Sequence, residues 1–129
     1  MLKLPMVTFI VTSYNYEKYI LRTLLSIKNQ SYENFEIIVV DDCSKDNSCK
    51  IVEDFIADNQ DLKITLIKQE TNQGQLGAML KGLKRAQGQF ITFVDSDDML
   101  MEDFTKEHIR VHLDCLLYTS DAADDTPCV

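Results

Sequence analysis

Residues 90 to 98 read Phe-Ile-Thr-Phe-Val-Asp-Ser-Asp-Asp, an apolar run of strand length that ends in three carboxylates within four residues. Folding alone does not require such a cluster, because neighbouring carboxylates repel one another and raise each other's pKa. A divalent cation would neutralise them, and Mg²⁺ and Mn²⁺ prefer oxygen ligands. The alternative interpretation is a solvated turn in which one Asp caps a following helix. This segment alone leaves both interpretations open.

Further apolar runs alternate with segments of helical periodicity. Runs rich in β-branched and aromatic residues lie at residues 6 to 12, 35 to 40, 64 to 68 and 90 to 94. Apolar residues recur at helical spacing at residues 19 to 27, 51 to 56 and 76 to 86. This alternation predicts an α/β fold, a parallel sheet with right-handed crossovers and helices on both faces. A fourth helix can follow at residues 102 to 113.

Two sequence signals predict helix ends. Residues 46 to 48 read Asp-Asn-Ser, which is typical of the cap at a helix N-terminus. Gly88 follows the third helical segment, and it predicts a left-handed terminator there.

Polar residues follow each of the four strands, at residues 12 to 15, 41 to 44, 70 to 74 and 95 to 98. Ligands bind such sheets outside the carboxyl ends of the strands, so these residues predict a site. Adjacent strand side chains point to opposite faces, so one of Asp41 and Asp42 is expected to bind and the other to hold a loop. Tyr14 offers a flat face for a nucleotide base, unless it is a partly buried core aromatic.

The bulk composition excludes several classes of function. The net charge of -8 argues against a nucleic-acid partner, which needs a basic face. The patterns GxxxxGK[ST] and GxGxxG are missing, which argues against a P-loop hydrolase and a classical dinucleotide dehydrogenase. No signal peptide and no run long enough for a membrane segment is visible. With four cysteines in no paired pattern, the expected location is the cytoplasm.

Four blocks of this sequence resemble the successive signatures of the family 2 glycosyltransferases. They are residues 11 to 15, residues 39 to 44, Asn72-Gln73-Gly74 with Ala78, Gly82, Ala86 and Gly88, and residues 93 to 98. The blocks occur in family order and spacing across about residues 6 to 104. The resemblance implies the type A glycosyltransferase fold, a Rossmann-like nucleotide-sugar domain with a metal-binding Asp-x-Asp, here truncated.

The resemblance also implies roles for individual residues. The nucleotide site would consist of Thr12, Tyr14, Asp42, Asp95 and Ser96. Thr12 and Tyr14 would contact the base and Asp42 the uracil imide, while Asp95 and Ser96 would lie beside the ribose and diphosphate. Asp97 would be the ligand of Mg²⁺ or Mn²⁺, acting as a Lewis acid for the departing diphosphate.

Three positions need separate comment. Asp98 is expected to cap a helix or to support the site indirectly. The family usually has Gly where this chain has Cys43, a mild change unless the loop needs a positive φ. The family commonly has a polar residue where this chain has Leu80, so a polar contact is expected to be lost.

Residues 1 to 112 are predicted to be an incomplete nucleotide-sugar-binding domain. In this family the general base comes from a second half that also binds the acceptor, so no catalytic base is expected here. Residues 113 to 129 resemble translated adapter sequence and are expected to be disordered or artefactual.

The expected function is the donor-binding part of an inverting glycosyltransferase, inactive alone. It would move a sugar from a UDP-linked donor to a hydroxyl of a saccharide or lipid-linked glycan. The intact enzyme would be cytoplasmic, either free or peripheral to the inner face of the membrane.

Two other functions remain open from the sequence. Asp41 and Asp42 resemble the acidic pair of a phosphoacceptor receiver domain, in which Asp95 or Asp97 would be phosphorylated. Against this, an extra strand precedes the pair, and no strand with a Lys follows the last Asp. The other alternative is a metal-free binding module.

Overall fold

A computed structural model describes residues 4 to 101 and 103 to 111 of the chain. The strands are β1 (Val7–Ser13), β2 (Phe35–Asp41), β3 (Ile64–Lys68) and β4 (Phe90–Asp95). The helices are α1 (Ile20–Lys28), α2 (Ser48–Asp58) and α3 (Gly74–Arg85). The predicted α/β alternation is therefore confirmed. Residues 104 to 111 are also helical, within the segment where a fourth helix was expected, whereas the tail at residues 113 to 129 lies outside the described residues.

The four strands form one parallel sheet in the order β3-β2-β1-β4. In the register of this sheet, Thr12 of β1 lies beside Val40 of β2 and Asp95 of β4. Asp41 at the end of β2 lies beside Lys68 at the end of β3. The carboxyl ends of all four strands are thus nearly level, which brings the polar residues that follow them to one edge.

The two faces of the sheet carry separate apolar clusters. The larger cluster contains Phe9, Val11, Ile37 and Val39 of the sheet, packed with Ile20, Leu24 and Ile27 of α1 and with Val52 and Phe55 of α2. The smaller cluster on the other face contains Ile38, Val40 and Ala78 of α3. Because both faces are covered, β1 and β2 read as continuous apolar runs.

Helix α3 packs against the sheet through small residues. A Cβ atom built on Gly82 would lie 2.6 Å from Ile10 Cγ2 and 3.2 Å from Val40 Cγ2. Only a residue without a side chain fits so close to β1 and β2. On the outer side of the same helix, Leu80 is 51% exposed and does not line the cavity described below.

The prediction that Gly88 ends α3 in a left-handed conformation is wrong. Ala86 follows the helix with φ -68° and ψ 136°, and Gly74 is the one glycine of positive φ within the described ranges. Gly88 instead lies against β1, where an added Cβ would be 2.6 Å from Thr8 Oγ1. Its N–H donates to the same oxygen at 2.9 Å. A glycine is needed at position 88 because the chain lies so close to β1, and not because of a positive φ.

The N-cap residue of α2, Asn47, makes no side-chain cap hydrogen bond, and Asp46, one position before it, binds the first residue of the helix instead. One carboxylate oxygen of Asp46 accepts hydrogen bonds from the N–H and the hydroxyl of Ser48, at 2.9 and 2.5 Å. Burial acts to raise the pKa of this carboxyl, but these bonds and one from Glu17 N–H outweigh it and lower the pKa. Among the described helices, none is both long and apolar enough to cross a membrane.

Substituting Gly82→Ala should lower the free energy of unfolding by about 1–3 kcal/mol, because the new methyl group would push α3 away from β1. Denaturant unfolding followed by circular dichroism measures this loss. Lys81→Ala is the matched control on the neighbouring exposed position, and it should change stability by less than about 0.5 kcal/mol. Equal stability of the two variants would contradict the close packing.

Candidate functional site

A cavity of about 310 Å³ opens at the carboxyl edge of the sheet. Its lining consists of Thr12, Ser13, Tyr14, Tyr16, Asp42, Asn72, Gly74, Gln75, Ala78, Asp95 and Asp97. Five of the six residues predicted for the site are in this lining. The sixth, Ser96, is fully buried in the turn beneath it, and its hydroxyl has no hydrogen-bond partner among the described residues.

Asp41 and Asp42 have different surroundings, as the strand geometry predicts. The Asp41 carboxylate accepts hydrogen bonds from the N–H and the hydroxyl of Ser44, at 2.8 and 2.6 Å. It therefore holds the loop that follows β2. Asp42 is the member of the pair that lines the cavity.

The Asp42 carboxylate also binds the N-terminus of α3. It accepts hydrogen bonds from Gln73 N at 2.7 Å, from Gly74 N at 2.9 Å and from Gln69 Nε2 at 3.0 Å. The two backbone N–H groups, those of Gln73 and Gly74, have no partner within the helix, and the helix dipole favours a negative charge there. A carboxylate has about four lone-pair positions, so about one acceptor position remains for a ligand. Sequence reasoning missed this capping role of Asp42. The one available signal was the polar residue Gln69, which directly follows β3 at the edge where Asp42 lies.

The loops after β1 and β2 hold each other. Ser44 Oγ accepts a hydrogen bond from Asn15 N at 2.9 Å, and Asn15 Oδ1 accepts one from Lys45 N at 2.8 Å. Tyr14 lies at the start of the first of these loops and is 41% exposed. The alternative of a core aromatic is therefore wrong, and the ring is available at the cavity.

The acidic segment after β4 forms a tight turn. Asp98 N donates to Asp95 O at 2.9 Å, which places Ser96 and Asp97 at the centre of the turn. Each of Asp95, Asp97 and Asp98 offers a carboxylate oxygen, and these oxygens lie within 4.8 Å of one another. Three exposed carboxylates at this separation are a donor set that fits a divalent cation.

The expectation that Asp98 caps a helix is wrong. The next helical residue is 104, so no described helix begins at Asp98, and its carboxylate belongs to the acidic cluster instead. On the other side of the cluster, Asp95 Oδ1 accepts a hydrogen bond from Gln75 Nε2 at 2.5 Å and from Thr12 Oγ1 at 3.5 Å. Gln75 was not predicted, because no strand or helix pattern marks it.

Two residues other than glycine have positive φ in these loops, Asn15 at 57° and Cys43 at 64°. Asn tolerates this left-handed conformation, but for Cys it costs about 1–2 kcal/mol. The substitution at Cys43 is therefore not mild, because the loop does need a positive φ. Its thiol donates to Glu70 O at 3.3 Å. The neighbouring thiol of Cys49 has a pKa raised to about 12, chiefly by burial and then by its hydrogen bond to Asp41.

The model of the glycosyl transferase family 2 matches residues 8 to 114 of this sequence. The chain belongs to this family. The family membership overturns the alternative of a phosphoacceptor receiver domain, as does the strand β1 that precedes the acidic pair.

Individual relatives agree with this assignment. A Haemophilus influenzae protein described as an uncharacterized glycosyltransferase is 38% identical over 112 residues, which are 87% of this chain and 44% of the relative. The structure of S. aureus TarS 1–349 in complex with UDP-GlcNAc has a TM-score of 0.75 and 35% identity, covering 84% of this chain and 31% of TarS. This chain thus spans less than half of each of these proteins.

A more distant structure is that of mannosyltransferase PcManGT from Pyrobaculum calidifontis in complex with GDP-Man and Mn²⁺. It has a TM-score of 0.74 and 27% identity, covering 95% of this chain and 33% of PcManGT. The type A glycosyltransferase fold is confirmed by these two structures.

Substituting Cys43→Gly should raise the free energy of unfolding by about 0.5–1 kcal/mol, because glycine adopts φ of 64° without strain. Thermal and denaturant unfolding measure the gain. Cys43→Ala keeps the strain and removes the thiol, so it should give no gain. A less stable glycine variant would show that the thiol contact outweighs the strain.

Substituting Asp42→Asn should lower the free energy of unfolding by about 1–3 kcal/mol, because the amide nitrogen cannot accept the hydrogen bonds from the α3 N-terminus. Asp54→Asn, at an exposed position of α2, is the control and should be nearly neutral. The capping role would be rejected if the two variants unfolded at the same denaturant concentration.

Proposed function

We propose that this chain is the donor-binding part of an inverting glycosyltransferase that uses a UDP-linked sugar. The observation that carries the proposal is a cavity lined by the Tyr14 ring, the Asp42 carboxylate and the carboxylates of Asp95 and Asp97, with the Asp98 carboxylate within 4.8 Å of the last two. A nucleoside diphosphate needs this combination, since it has an apolar base with polar edges and a strongly anionic diphosphate.

The base would bind between the loops after β1 and β2. Tyr14 would stack on the base, and Thr12 would contact it from the end of β1. The remaining acceptor position of Asp42 would receive the imide N–H of uracil, because a carboxylate accepts and does not donate. The UDP-GlcNAc complex of TarS supports uridine over guanosine, because TarS is 35% identical and the GDP-Man-binding PcManGT 27%.

The diphosphate would bind through a divalent cation held by Asp97, with Asp95 and Asp98 beside it. The donor set consists of oxygens, which fits Mg²⁺ or Mn²⁺, and the Mn²⁺ in the PcManGT complex supports a divalent ion. Such an ion neutralises the charge that develops on a leaving diphosphate. Ser96 would contribute through its backbone beside the ribose and diphosphate, because its hydroxyl is buried.

The acceptor hydroxyl and its general base would belong to a part of the enzyme outside this chain. The proposal is supported by length, because this chain spans between 31% and 44% of the relatives described above. The acceptor would be a saccharide or lipid-linked glycan, and the intact enzyme would act in the cytoplasm or at the inner face of the membrane. This chain alone would bind the donor without turnover, as an incomplete domain at residues 1 to 112.

Isothermal titration calorimetry of the folded chain with UDP should detect binding in the presence of Mn²⁺. Asp97→Ala should weaken this binding at least about tenfold, the loss expected for a charged ligand of the cation. Asp54→Ala removes an exposed carboxylate on α2 and should bind as the unsubstituted chain does. A folded sample that binds no UDP, or equal binding by Asp97→Ala, would overturn the proposed function.

A further inference from the structure

A polar stripe runs along the side of α1 that contacts the segment after β4. Thr23 and Ser26 lie on the helix and Gln30 lies just beyond its end, at spacings of three and four residues that place them on one face. Thr23 is fully buried and Gln30 is 6% exposed. Buried polar side chains need hydrogen-bond partners, and here those partners lie in the segment that follows β4.

Thr23 contacts the backbone on both sides of Asp97. Its Oγ1 lies 2.8 Å from the carbonyl oxygen of Ser96 and 2.5 Å from that of Asp98. A hydroxyl has one proton, so it is shared between the two carbonyls or alternates between them. In either case Thr23 holds the backbone of the turn that carries the acidic cluster at two positions, and Arg22 also donates to the carbonyl of Asp97 at 3.5 Å.

Ser26 and Gln30 continue these contacts along the same segment. Ser26 Oγ accepts a hydrogen bond from Leu100 N at 3.0 Å. Gln30 donates to the carbonyl of Met101, and its Oε1 accepts from Thr105 N at 2.9 Å. Residues 98 to 101 have no helix or strand of their own, so the stripe supplies backbone partners that regular structure would otherwise supply.

We propose that Thr23, Ser26 and Gln30 are positioning residues for the divalent cation, acting through the backbone of Ser96, Asp98, Leu100, Met101 and Thr105. This inference rests on the proposed function of Asp97. None of the three lines the cavity at the carboxyl edge of the sheet, so none is expected to touch the nucleotide. Exposed carboxylates that repel one another bind a cation more tightly when their backbone is fixed beforehand, because less order is lost on binding.

Thr23→Val is the decisive variant, because it keeps the branched shape of the buried side chain and removes its hydroxyl. The Mn²⁺ affinity of the whole chain can be measured by the paramagnetic resonance signal of free Mn²⁺. We expect Thr23→Val to weaken Mn²⁺ binding about three- to tenfold, the fold-change that corresponds to one net hydrogen bond. Thr23→Ser restores the hydroxyl and should bind Mn²⁺ within about twofold of the unsubstituted chain.

Loss of stability must be separated from loss of positioning. Val52→Ala removes buried apolar volume in α2 and none of the hydrogen bonds to the turn, so it should lower the melting temperature while leaving Mn²⁺ affinity unchanged. If Thr23→Val does not fold, Ser26→Ala replaces it with the same expected loss of affinity, because it releases Leu100 N.

The outcomes distinguish this inference from the proposed function. If the unsubstituted chain binds Mn²⁺ and Thr23→Val binds it equally well, the positioning role is wrong and the proposed function stands. Equal weakening in Thr23→Val and Val52→Ala would likewise reduce the role of Thr23 to general stability. If the folded, unsubstituted chain does not bind Mn²⁺, both the positioning role and the proposed metal site are wrong.

Discussion

The site depends on the parallel pairing of β1 with β2 on one side and with β4 on the other. This pairing sets Thr12 beside Asp95, and it sets the end of β1 beside Asp41. The buried faces of these strands fix the register, because a shift by one residue would turn every apolar side chain to the opposite face. The position of the carboxylates is therefore determined by apolar residues several positions away along the same strands.

Carboxylates that lie this close repel one another, and hydrogen bonds from N–H groups stabilise several of them here. Asp41 and Asp42 accept hydrogen bonds from backbone N–H groups, and Asp95 accepts one from the amide of Gln75. Within residues 4 to 101 and 103 to 111, the ion pairs of Lys and Arg are made with other acids. Among these residues no Lys or Arg thus forms an ion pair with the exposed cluster, which leaves its carboxylate oxygens open to a cation.

The sequence alone predicted the strands, their direction and the edge at which the polar residues meet. Those inferences use periodicity and residue type, and both are local properties. The φ of Cys43 and the close approach of Gly88 to β1 were not predictable in the same way. Each depends on where the chain turns or which other segment lies opposite, and a single sequence does not encode such distances in any local pattern.

The polar stripe on α1 shows why a sequence motif identifies only part of the residues on which a site depends. The Asp-x-Asp motif identifies the carboxylates, but their mutual distance depends on the turn of residues 95 to 98, which has a single internal backbone hydrogen bond. One such bond gives the turn little internal support against the repulsion of its own side chains. Thr23 lies more than seventy residues away in sequence and binds the carbonyl of Ser96. A cluster of like charges on an irregular segment therefore needs a regular element behind it, and α1 is that element here.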